Sequence, residues 1–106
     1  MVTYSATAQI LVIQLWIEDV APIRTALEQA HIEAEITRVD IEPALYAALL
    51  WQHYDFVIYD PATSTLSLAS VQAALQALRS PAVLIVADDL STLGERVRAV
   101  LDSRRN

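Results

Sequence analysis

A layered α/β fold with a parallel sheet is the class this chain of 106 residues predicts. Strand-like and helix-like segments alternate along it, and the connections between them are short. Most of the strand-like segments are nearly unbroken apolar runs, the composition of parallel strands covered on both faces. The helix-like segments carry apolar residues at steps of three and four, so each offers one stripe to a sheet. Strand-helix units joined this closely imply right-handed crossovers and helices on both sheet faces.

The elements follow in order. Residues 1–8 are expected to form a flexible N-terminal segment of one single domain, with the first strand at residues 10–15. Val20, Ile23, Leu27 and Ala30 mark the first helix, and Asp19 with Pro22 marks its start. The second strand, residues 34–39, alternates: Glu35 and Thr37 are polar, whereas Ala34 and Ile36 are apolar. That is the pattern of a half-exposed edge strand. The second helix is read from Ile41, Leu45, Ala48 and Leu49, starting at Asp40 and Pro43. The third strand, residues 56–59, is wholly apolar, ends on Asp60 and meets Pro61. Leu68, Val71, Leu75 and Leu78 mark the third helix, and residues 82–87 the fourth strand. Leu90, Leu93, Val97 and Val100 give the last helix, with Thr92 and Glu95 in capping-box spacing. The expected strand order is 2-1-3-4.

Composition removes several function classes. Net charge is −6, and all seven basic residues are arginines. Such a chain repels phosphate backbones and anionic membrane surfaces, so no nucleic acid and no membrane is expected as partner. There is no cysteine, hence no disulfide and no thiolate ligand or nucleophile. The apolar stretch at residues 10–17 is far too short to span a bilayer, and residues 1–5 carry no basic side chain. A soluble, cytoplasmic protein is the expectation. Gly94 is the only glycine, which excludes Gly-rich phosphate loops and the dinucleotide fingerprint.

A carboxylate at the carboxyl end of a buried strand sits where open α/β sheets place ligand chemistry. The run Asp55-Phe56-Val57-Ile58-Tyr59-Asp60 has that form. Together with Ile10-Leu11-Val12-Ile13 and Pro81-Ala82-Val83-Leu84-Ile85-Val86, and with the order of elements, it resembles the receiver domain of response regulators, a flavodoxin-like module of two-component signalling. The resemblance covers about residues 10–87 and implies Asp60 as phosphoacceptor. It also implies an acidic pair holding Mg²⁺ after strand 1, a hydroxyl at the end of strand 4 and a lysine on strand 5. Here Gln14 and Leu15 stand at the acidic pair, Ala87 at the hydroxyl, and no lysine exists. Only one helix remains after Ala87, so the resemblance is to a degenerate pseudo-receiver without the fifth strand. It leaves open whether that helix answers to the family's fourth or last, and whether it packs beside helix 1 or helix 3.

The expected function is therefore protein–protein interaction in signalling, without conventional phosphotransfer, catalytic residue or resident cofactor. The alternative is a phosphoacceptor receiver in a phosphorelay, using Asp60 with Mg²⁺ in an atypical site. Asp60, Asp88, Asp89, Glu18 and Asp19 all follow strand ends on one sheet edge and could supply oxygen ligands. Helix-start capping by Asp19 and Asp89 is the favoured reading of those two. His31 and His53 are read as helix-end residues, and Ser64, Ser67 and Ser70 as caps rather than nucleophiles.

Interaction surfaces are the remaining question. Trp16, Trp51, Tyr46 and Tyr54 are either core or contact residues. Strand 4 is apolar on both faces and lies at an edge in the expected order, a pairing liability that soluble proteins cover. Val83, Ile85, Ala87, Leu90 and Trp51 are accordingly candidate interface residues. A second copy in a homodimer, or a partner signalling protein, is the expected cover. Arg96, Arg98, Arg104 and Arg105 are read as cations near a helix end.

Overall fold

The computed structural model describes residues 7–14, 20–62, 64 and 66–104. Within them β1 (Ala8–Ile13), β2 (Ala34–Val39), β3 (Phe56–Tyr59) and β4 (Val83–Val86) form one sheet. All pairings are parallel and the order is β2-β1-β3-β4, a flavodoxin-like arrangement. Four helices cover it: α1 (Val20–Gln29), α2 (Glu42–Trp51), α3 (Leu68–Ala77) and α4 (Leu90–Arg104). No helix among the described residues is long and apolar enough to cross a membrane.

β1 starts earlier than its apolar run suggests. Ala8, expected in the flexible segment, is buried, and its N–H donates to the Glu33 carbonyl at 2.9 Å. An alanine gives little hydrophobic signal of its own, so the ladder bond sets the boundary. Leu15, Trp16, Glu18 and Asp19 lie outside the described residues.

Strand alternation sorts the core into two layers. Ile10, Val12, Phe56, Ile58 and Ile85 face α1 and α4, where Ile23, Leu27, Leu93 and Val97 meet them. Leu11, Ile13, Val57 and Tyr59 face α2 and α3, against Leu45, Leu49, Val71 and Ala74. Handedness explains the distribution. The crossover from β1 to β2 runs one way along the sheet, and those from β2 to β3 and β3 to β4 run the other, so right-handed connections put α1 opposite α2 and α3. The last helix packs beside α1, not α3. Without α4, the apolar row from Ile58 to Ile85 on that face would meet water.

The α1–α4 contact is unusually close. A Cβ on Gly94 would lie 2.8 Å from the Ala30 Cβ and 2.9 Å from the Ala26 carbonyl oxygen. The chain's single glycine thus serves helix packing, not a turn. Turns that favour glycine use other residues instead. His31 (φ 59°) and Arg79 (φ 51°) hold the left-handed position just past α1 and α3. In both, the next N–H reaches back across the last turn: Ile32 to the Leu27 carbonyl at 3.0 Å, Ser80 to that of Leu75 at 2.9 Å. Arg98 Nη2 then donates to the Ala30 and His31 carbonyls at 2.6 and 3.1 Å. The arginine caps the neighbouring helix rather than its own.

The start of α2 departs from expectation, and at α4 the expected cap by Asp89 prevails over the expected capping box. α2 begins at Glu42 after Ile41, which makes no side-chain cap, while Asp40 pairs with Arg38 at 3.5 Å. α4 begins at Leu90, two residues before the expected capping box. Asp89 accepts from the Ser91 N–H at 3.0 Å, and the Thr92 hydroxyl donates to the Asp89 carbonyl at 3.1 Å. An aspartate ahead of the helix captures the free amide first. Ser67 caps α3 as expected, accepting from the Ser70 N–H at 3.1 Å.

Candidate functional site

The parallel register opposes Ile13 to Tyr59, so the next residues, Gln14 and Asp60, leave the carboxyl edge of the sheet together. Both strands are fully buried there, which brings two polar side chains into an apolar frame. Gln14 is 1% exposed and is the buried polar side chain among the described residues. Its main chain is held on the other side too: its N–H donates to the Val39 carbonyl at 3.1 Å. Arg38 Nη1 donates to the Gln14 carbonyl at 3.2 Å.

Asp60 is half-buried and both carboxylate oxygens have donors. Gln14 Nε2 donates to Oδ2 at 3.2 Å, and the Ala62 N–H donates to Oδ1 at 2.9 Å. The second bond closes an Asx-turn, helped by the Ser64 N–H on the Asp60 carbonyl at 3.0 Å. The Tyr59 hydroxyl then donates to the Leu66 carbonyl at 2.7 Å, pinning the loop into α3. Gln14 Oε1 is left buried without a partner among the described residues. Turning the amide over would aim that oxygen at the carboxylate, so the donor orientation is the one electrostatics selects.

This geometry does not fit Mg²⁺. A hard divalent cation takes oxygen ligands in an octahedral shell, but the amide hydrogens of Gln14 face the Asp60 carboxylate from the strand 1 side. Of the other candidate ligands, Asp88 is turned onto Arg96 at 3.4 Å. Asp89 caps α4, and the Ser91 hydroxyl donates to it at 2.6 Å. That hydroxyl and the Ser91 amide, with a lesser contribution from the charge of Arg96, hold its carboxyl below the ordinary aspartate range against the opposing effect of desolvation. Among the described residues no group of three histidine or acidic side chains could hold a metal. Glu18 and Asp19 lie outside those residues. At the end of β4, Ala87 is buried and presents a methyl group.

The candidate interface residues divide. Val83 is half-buried and Leu90 is 39% exposed, but Ile85 and Ala87 sit in the core against α1 and α4. Those two side chains are corrected from surface to core, because α4 covers the face they point to. What β4 offers at its edge is main chain, flanked by the half-buried Leu84 and Val86. Trp51 is 87% exposed, beside Leu50 at 72%. It is not part of the β4 edge: the next residue, Gln52, donates to Gln9 of β1 at 3.1 Å. Tyr54 is buried and Tyr46 packs on the α2 and α3 side.

Sequence reasoning passed over Arg38 and read Arg96 only as a cation near a helix end, yet these two arginines organise the strand ends. Arg38 links Gln14 to Asp40, and Arg96 Nη1 donates to the Val86 carbonyl at 2.8 Å. A basic residue nearly two turns into a helix after an apolar edge strand is the signal that could have located Arg96. No known family model matches the chain, and no curated protein or solved structure matches it either.

Proposed function

We propose that this chain is a receiver-like signalling domain that acts through protein–protein contact, without conventional phosphotransfer. The observation that carries the reading is the hydrogen bond from buried Gln14 to Asp60. An aspartate at the end of the third strand of a flavodoxin-like sheet occupies the phosphoacceptor position of the receiver family. Here a neutral amide stands where the cation would bridge. Phosphoryl transfer depends almost entirely on positioning and on cationic charge around the transferred group. A side-chain amide and one Asx-turn amide supply neither a metal nor a lysine. The buried methyl of Ala87 adds no hydrogen bond for a phosphoryl oxygen.

The test is intact-mass analysis after incubation with acetyl phosphate and Mg²⁺, with Asp60→Asn as control. The expected result is an unchanged mass for both proteins. A phosphoryl increment present in the natural chain and lost in Asp60→Asn would replace this reading with the phosphoacceptor alternative. Cytoplasmic signalling and a protein partner belong to the same proposal.

A further inference from the structure

Among the described residues no strand pairs with the outer edge of β4, which leaves main-chain groups there available to another strand. The Val83 and Ala87 amides turn inward, to the carbonyls of Asp55 and Tyr59 at 3.0 and 2.7 Å. In a parallel strand the alternate residues Leu84 and Val86 therefore point their N–H and C=O groups away from the sheet. Two groups along that edge are satisfied within the chain. Ser80 Oγ accepts from the Ala82 N–H at 3.3 Å, and Arg96 donates to the Val86 carbonyl at 2.8 Å. We infer that this edge pairs antiparallel with the same edge of a second copy, across a two-fold axis at Leu84. The inference concerns main-chain groups on the outer edge of β4 and uses no property of the Asp60 site, so it stands independently of the proposed function.

The pattern of satisfied groups selects the register. With Leu84 opposite the partner subunit's Leu84, each residue exchanges N–H and C=O with the other. The Val86 N–H then meets the carbonyl of Ala82 of the partner subunit. The bond that does not form would join the Ala82 N–H to the carbonyl of Val86 of the partner subunit. Those are the two groups that Ser80 and Arg96 already occupy. Sliding the pair either way sets a Leu84 group against one of these occupied groups and strands it without a partner.

Charge selects the occupant. The same register brings Arg79 of each copy beside Asp88 and Asp89 of the partner subunit. Arg79 is exposed and has no ion pair among the described residues, and the Asp88 side chain is 70% exposed. Arg79 also holds a left-handed backbone that glycine would adopt without steric cost. An edge of this kind is complementary to itself under two-fold symmetry, the commonest closed arrangement of identical chains. Four-residue strands make a small contact, so association depends on concentration.

Sedimentation equilibrium of the full chain over a wide concentration range tests this. The expected result is a mass that rises with concentration to twice that of the monomer. Arg79→Glu shifts the midpoint upward about tenfold by replacing two ion pairs with repulsion, and adding Asp88→Arg to that variant restores it. Amide exchange at Leu84 slows as concentration rises. A monomer at every concentration would overturn the inference. So would a dimer that ignores Arg79→Glu, or one lost in Trp51→Ala with the Leu84 exchange rate unchanged by concentration.

Discussion

β3 and β4 lie side by side with similar apolar sequences, yet their polar groups are treated in opposite ways. At the end of β3, Asp60 and Gln14 turn on each other inside a buried frame, and Ala62 closes the remaining carboxylate oxygen. Along β4, Leu84 keeps its main-chain groups pointing outward while Arg96 and Ser80 guard either side. A buried polar group left alone costs about 1–3 kcal/mol, and at the β3 end the Asp60 carboxylate is satisfied internally while Gln14 Oε1, among the described residues, is not. An edge amide is solvated at little cost and can wait for a partner. The position that looks chemical is closed, and the position that looks structural is open.

The largest expected effect breaks the β3 end. Gln14→Glu replaces a donor with a second buried carboxylate facing Asp60 and is expected to cost about 3 kcal/mol or more in urea unfolding. Gln14→Leu loses one hydrogen bond but also removes the unpartnered Oε1, so a change of about 1 kcal/mol is expected. If Gln14→Glu kept its stability, the closed description of that end would be wrong. Gly94→Ala acts on the helix that carries Arg96 over the β4 edge. Its new Cβ forces α1 and α4 apart, and a net loss of about 1–2 kcal/mol is expected after the gain in helix propensity.

A paired substitution separates stability from association. His31→Gly and Arg79→Gly each relieve a left-handed side chain and are expected to raise thermal stability by about 0.5–1 kcal/mol. Only Arg79→Gly is expected to weaken dimerisation, since only Arg79 borders β4. The smallest effect is acid-dependent. Because Ser91 and Arg96 hold the Asp89 carboxyl below its ordinary value, the cap stabilises the fold above the unfolded-state pKa and is lost as pH falls through the lower folded value. Melting temperatures of the natural chain and Asp89→Ala should differ near neutrality and converge in strong acid.

The sheet was legible because apolar runs and the alternation of β2 are properties of contiguous residues. Asp60 was legible for the same reason: an acid stops a buried strand and Pro61 follows. The bond from Gln14 was not, since it depends on Ile13 meeting Tyr59 in the register of strands 46 residues apart in sequence. The face chosen by α4 was equally hidden. Its apolar stripe fits either side, and the close approach of Gly94 to Ala26 and Ala30 reads locally as a helix weakened by glycine. His31 and Arg79 give no turn signal, because their left-handed backbones carry side chains that usually avoid them. Asp40 was read as a cap from its place before Pro43, but Arg38, two residues earlier on the same strand end, claims it by charge.

The most direct measurement follows the Gln14 side-chain amide and the Asp60 carboxyl carbon by NMR during a Mg²⁺ titration. A hydrogen bond that fills the cation position predicts no saturable shift at either group through millimolar Mg²⁺. A saturable shift of both would show the cation displacing the amide, and would contradict the closed site on which the proposed function rests.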